Sequence, residues 1–184
     1  QKQGLSEDKL ASYIKIIVTS SNQLLGIVND ILDISKIETG QIEIYKEKTD
    51  LYQILSESMS FFNLKAGEQQ IDLNFNCSLS DKDSVVLTDQ AKLRQILFNL
   101  VSNALKYTER GYIQVNCYLK ENQIHFLVKD TGIGISKKDH HKLFDRFNKI
   151  ETKKQIYAGT GLGLSICKGY VEAQGGNIWF DSEI

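Results

Sequence analysis

The chain has 184 residues, 41% hydrophobic and 24% charged, with a formal net charge of −1, three Cys and no Pro. That length holds about one domain with an appended element and buries a core without disulfides or a structural metal. The balanced charge disfavours a nucleic-acid-binding module, no apolar run nears the ~18 residues of a membrane helix, and no secretory signal opens the chain.

Residues 5–39 read as one long helix. Ser6 is a candidate N-cap, Glu7 and Asp8 stand in the first turn and Gly40 is a stop. Leu10, Ile14, Ile17, Ser21, Leu24, Val28, Ile31 and Ser35 are spaced four and three alternately, the seam of a coiled coil or helical bundle. Such a helix spans ~50 Å and cannot bury its stripe against itself, so it needs a partner. Ile42 and Ile44 then alternate as in a short strand, and Leu51 to Ala66 reads as a helix. Ile71, Leu73, Phe75 and Cys77 alternate again, followed by the apolar Val85-Val86-Leu87. Gln90 to Tyr107 is helical with Asp89 as N-cap. Strands Ile113–Leu119 and Ile124–Val128 form a hairpin across Lys120 to Gln123. A short helix around Lys138 to Asp145, a helix from Gly161 to Gln174 and a strand from Asn177 to Asp181 complete the chain. Interspersed strands and helices predict an α+β fold, a two-layer α/β sandwich with helices on one face of a mixed sheet.

Chemistry concentrates in three segments. In the helix 90–107, Asn99, Asn103, Lys106 and Tyr107 share one face, with Leu93, Ile96, Leu97, Leu100 and Ala104 opposite. Two mid-helix Asn are poor helix formers. They read either as a solvated polar face or as amide oxygens suited to Mg2+, with Lys106 against phosphates. Asp130-Thr131-Gly132-Ile133-Gly134-Ile135 follows a strand. It reads as a plain turn or as an acceptor for an exocyclic amine beside a close-approach backbone. The aspartic-protease reading of Asp-Thr-Gly conflicts with the helix content. Gly159-Thr160-Gly161-Leu162-Gly163-Leu164 opens the last helix. It is neither a P-loop nor a dinucleotide fingerprint, and reads as a flexible linker or as a phosphate cradle at a helix N-terminus. His125, His140 and His141 read as surface residues. Cys77, Cys117 and Cys167, far apart in sequence, read as reduced thiols of a cytoplasmic protein rather than a disulfide frame or zinc site.

Taken in order, these segments resemble the catalytic core of sensor histidine kinases of two-component systems, of the hybrid type. Leu93 to Thr108 looks like the family's asparagine motif, Asp130 to Ile135 its first glycine motif, Leu143-Phe144-Asp145-Arg146-Phe147 its phenylalanine motif and Gly159 to Leu164 its second glycine motif. Asp30 to Gly40 resembles the end of the second helix of the dimerisation and phosphotransfer domain. The resemblance covers nearly the whole chain. It implies residues 1–45 as a partial dimerisation helix and 46–184 as a Bergerat-type ATP-binding domain, cut at its C-terminus.

The resemblance further implies ATP and Mg2+ as cofactors. Asp130 would bind the adenine amine beside Gly132, Gly134 and Ile135, and Asn103 would ligate Mg2+. Asn99, Lys106 and Tyr107 would line the phosphate and ribose side, and Gly159, Thr160, Gly161, Leu162, Gly163 and Leu164 would follow the triphosphate. Residues 148–160 would form an ATP lid, with Arg146, Lys149, Lys153 and Lys154 as candidate γ-phosphate contacts. Related ATPases of the same fold carry a Glu general base where this chain has Asn99, so hydrolysis should be slow and transfer to an imidazole fits better. The implied partners are a second copy, through the N-terminal helix, and a response-regulator receiver domain. Nucleic acid is not expected, and membrane contact only through other parts of a parent protein. The family's phosphoacceptor motif, His-Glu-x-Arg-Thr-Pro, has no counterpart here. The expectation is a fragment that binds ATP without phosphorylating itself. The competing expectation is a non-catalytic nucleotide-binding module.

Overall fold

The computed structural model describes residues 7–149 and 159–184. Helix α1 (Glu7–Glu38) carries Glu7 and Asp8 in its first turn and Lys36 in its last, charges that complement the helix dipole. Ile34 is its one buried side chain, while Leu10, Ile14, Ile17, Leu24, Val28 and Ile31 are all exposed. The seam predicted from spacing therefore lies uncovered over most of its length.

Gly40, at φ 64°, ends the helix. The strand expected at Ile42 and Ile44 does not form. Ile42 packs onto the core beside α1, and the Tyr45 N–H donates to Asp89 Oδ2 at 3.0 Å instead of entering a ladder. The first strand, β1 (Glu47–Asp50), comes next. Asp50 caps helix α2 (Leu51–Glu68) by accepting from the Gln53 N–H at 3.1 Å. Strands β2 (Ile71–Cys77) and β3 (Val85–Thr88) follow, and β3 pairs antiparallel with β1 as a separate two-stranded ribbon.

Helix α3 (Gln90–Tyr107) is capped by Asp89, whose Oδ1 accepts from the Lys92 N–H at 3.0 Å. Strands β4 (Gly111–Lys120) and β5 (Gln123–Asp130) meet at Glu121 and Asn122. Both have positive φ, 52° and 61°, as a two-residue type I′ hairpin requires. The main sheet has the order β2-β4-β5, with β2 parallel and β5 antiparallel to β4.

The short helix is a 3₁₀ turn, Lys137–Lys142, and the last helix, α4, runs Gly163–Ala173. Residues 177–181, expected as a strand, join no ladder. They are placed by rings: Trp179 lies edge-on to His125 at 5.8 Å, and Phe180 to His140 and Phe144 at 5.0 and 5.9 Å.

Two cores meet at α3. Leu93, Leu97, Val101, Ala104 and Leu105 pack with α2 onto the inner face of the sheet. Ile96 and Leu100 turn toward a second cluster formed by Ile34 of α1 with Leu162, Ile166, Cys167 and Tyr170 at α4. The result is the expected two-layer sandwich of helices on a mixed sheet, with one end of the long helix seated on it.

Candidate functional site

With two flanks of α3 committed to cores, its Asn-bearing face is left to line a cavity of about 930 Å³. Asn99, Asn103, Lys106 and Tyr107 contribute from α3, Asp130, Gly132, Gly134 and Ile135 from the turn after β5, and Gly159, Thr160, Gly161, Gly163 and Leu164 from the approach to α4. Two residues of the expected set lie elsewhere. Leu162 is wholly buried in the second core, because the turn into α4 points it inward. Arg146 forms an ion pair with Glu38 of α1, off the cavity wall. Lys149 lines the cavity, whereas Lys153 and Lys154 lie outside the described residues, as do Ser6 and most of the expected lid.

On the cavity wall the chain holds an acceptor in a fixed pose. Asp130 Oδ1 accepts from the Gly132 N–H at 2.9 Å, and the Ile133 N–H donates to the Tyr107 carbonyl at 3.2 Å, tying the turn to the end of α3. Gly132 is needed there, since a Cβ would fall 2.5 Å from the Tyr107 carbonyl oxygen and 2.8 Å from Asp130 Oδ1. The Ile135 N–H donates to Ser182 Oγ at 2.9 Å, and its carbonyl lies 3.0 Å from His140 Nε2.

Lys106 and the glycine-rich approach to α4 add a cation and backbone donors to the same cavity wall. Lys106 Nζ lies 4.6 Å from the centre of the Tyr107 ring. The N-terminus of α4 has no side-chain cap, and Gly163 and Leu164 of its first turn line the cavity. Gly161 has φ 75°, and a Cβ on it would come 2.9 Å from the Asn148 carbonyl oxygen. Asn99 Nδ2 points at the Gly163 carbonyl at 3.5 Å, which brings the asparagine face and the glycine loop together.

The long helix reaches the cavity too. Asp30 lines the cavity, and its Oδ2 accepts from Thr160 Oγ1 at 3.0 Å. Burial raises the Asp30 carboxyl above its ordinary range and nearby Asp33 adds to the rise, against the lowering effect of the Thr160 bond. Asp33 Oδ2 accepts from Gln95 Nε2 at 3.1 Å, and Ile37 packs over Gly169 of α4. The Tyr170 hydroxyl is pushed well above its usual range by burial and by its bond with Asp33.

Asp30 belongs to the segment that resembles the second dimerisation helix, but nothing in its local sequence marks it as a cavity residue. His125 and His140, read as surface residues, are half-buried: His125 stacks on Tyr118 at 5.3 Å and His140 holds the Ile135 carbonyl. The arrangement as a whole suits a ligand that carries both a hydrogen-bonding heterocycle, for Asp130, and a polyanion, for Lys106 and the start of α4.

Residues 88–184 match the family model described as histidine kinase-, DNA gyrase B- and HSP90-like ATPase. The chain belongs to that family. Its ATP-binding domain is of the kind found in two-component sensor histidine kinases. Over 183 residues it is 36% identical to the circadian input-output histidine kinase CikA of Synechococcus elongatus, covering 98% of this chain and 24% of that protein. The structure of full-length ShkA in complex with AMPPNP matches with a TM-score of 0.77 and 28% identity, over 94% of this chain and 35% of that one. The structure of histidine kinase ThkA in complex with response regulator protein TrrA matches with a TM-score of 0.67 and 26% identity, over 95% and 48%. This histidine-kinase-type ATPase chain thus spans about a quarter of the curated relative's length.

Proposed function

We propose that residues 46–184 bind ATP with Mg2+ as the catalytic part of a two-component sensor kinase, and that residues 1–45 are part of its dimerisation and phosphotransfer domain. In this reading the γ-phosphoryl group passes to a His on a phosphotransfer helix that this sequence does not contain, and from there to an Asp of a response-regulator receiver domain. The observation that carries the reading is the lining of one cavity, which brings together the anchored Asp130 carboxyl group, Lys106 and the uncapped start of α4.

Asp130 accepts the adenine amine, and Gly132 lets the base lie close to the backbone. The first-turn N–H groups of α4 and the Lys106 ammonium take the phosphates. Asn103 and Asn99 offer neutral amide oxygens, a donor set that fits Mg2+ shared with phosphate oxygens and water. Bound there, Mg2+ would neutralise charge on the phosphates. Asn99 stands where a hydrolase of this family would need a base, and an amide takes no proton from water at neutral pH. Positioning and charge neutralisation are then the protein's contribution to phosphoryl transfer. The ShkA complex with AMPPNP and the ThkA complex with TrrA support the nucleotide and the receiver-domain partner, respectively.

The test is calorimetric titration of this chain with Mg-ATP. Asp130→Asn replaces a charge-assisted acceptor and should weaken binding by about 10- to 100-fold, corresponding to ~1.5–3 kcal/mol. Chelating Mg2+ should weaken it as well. Unchanged affinity in the variant overturns the adenine assignment. Binding without phosphoryl transfer to a separately supplied acceptor-helix fragment overturns the kinase reading in favour of a nucleotide-binding module.

A further inference from the structure

Cys77 and Cys117 are distant in sequence, yet the parallel pairing of β2 and β4 sets them directly opposite each other. Opposed residues on neighbouring strands lie about 4.8 Å apart, inside the ~4.4–6.8 Å Cα window that a disulfide spans. Both are free thiols on the core side of the sheet: Cys117 is wholly buried, and the half-buried Cys77 packs against the same cluster. Burial, with the neighbouring Cys77 thiol adding to it, pushes the Cys117 thiol up to about 12.

The backbone around the pair is held in register. The Ser78 N–H donates to the Cys117 carbonyl at 2.9 Å, which keeps the register. Cys167, the third thiol, belongs to the other core cluster and lies 3.8 Å from the Ile96 carbonyl.

We propose that Cys77 and Cys117 form a reversible intramolecular disulfide, a modification site separate from the cavity. The co-reactant is the disulfide of a low-molecular-weight thiol, RSSR. The Cys77 thiol, as the more accessible, loses its proton to solvent. Its thiolate attacks RSSR, forming Cys77–S–S–R and releasing RS⁻, which takes up that proton as RSH. The Cys117 thiol then gives up its proton, and its thiolate displaces the second RS⁻, which takes up that proton, giving Cys77–S–S–Cys117 and a second RSH. Two protein thiols are oxidised and one RSSR is reduced to two RSH. The high thiol range of Cys117 makes the second step the slow one, so the bond forms under sustained oxidant and is undone by excess thiol.

The experiment equilibrates the chain with glutathione disulfide, then alkylates it under denaturing conditions and measures intact mass and peptide map. The expected result is a loss of about 2 Da with labelling reduced from three thiols to one. The peptides bearing residues 77 and 117 should be joined, and dithiothreitol should restore all three labels. Cys77→Ser, at a half-exposed position, should fold, keep its ATP affinity and label both remaining thiols after oxidation. The proposal is overturned if three thiols persist in the oxidised wild type, or if glutathione stays attached to Cys77 without resolution. A bond mapped between two chains or to Cys167 overturns it equally.

Discussion

Asp30 shows how one residue acquires a role by position. It is an acidic side chain on a mostly solvated helix, yet it bonds to Thr160 and is partly stripped of water on the cavity wall. Burial raises its carboxyl above the ordinary 3.8. A raised acid favours the seated state fully below that ordinary value and loses the advantage as pH climbs through the raised one. At neutral pH the charged form is therefore held at a cost. Asp30→Asn keeps an acceptor for Thr160 and removes the charge, so it should raise the melting temperature at pH 7 by about 1–2 °C. The difference should vanish below the ordinary Asp range. Scanning calorimetry across pH checks both. Another residue was legible in advance. Asp89 reads as an N-cap from local chemistry alone, and it accepts the Lys92 N–H of the first turn. Leu162 was not legible, since its glycine-flanked position says nothing of which way the turn into α4 faces.

At the scale of elements, α1 has two characters. Its C-terminal part is fixed by Ile34 in the second core, Ile37 over Gly169 and Glu38 paired with Arg146. The rest shows its heptad seam to solvent, with Ile17 and Leu24 each 62% exposed. We propose that this stripe docks a second copy of the helix, the partner that its spacing fits. Sedimentation should find a concentration-dependent dimer, and Ile17→Glu with Leu24→Glu should leave a monomer with unchanged Mg-ATP affinity. A monomer at every concentration in the parent chain would refute this. Two elements were misread for a common reason. Ile42/Ile44 and residues 177–181 alternate as strands do, but alternation reports only where side chains find cover. Ile42 and Ile178 find it on the second core and Phe180 on the rings of His140 and Phe144, without a ladder in either case.

For the molecule as a whole, α3 is the common wall of two cores and a cavity. Leu97 faces the sheet core and is wholly buried. Leu97→Ala should cost about 2–5 kcal/mol of stability through lost burial and a cavity, read from urea unfolding. A loss below ~1 kcal/mol would mean that the helix layer repacks freely over the sheet.

The sequence by itself determined the main helices, the β4–β5 hairpin, the amphipathic register of α3, the polar motifs and the apolar stripe of the long helix. These depend on local propensity, on periodicity, and on the spacing of residues carried by one element. Only the tertiary structure decided that Asp30 meets Thr160, that Arg146 meets Glu38, and that Cys77 faces Cys117. Each of those pairs joins segments far apart in the chain. Their contact follows from strand order and from where α1 lies against α4, which no local pattern encodes.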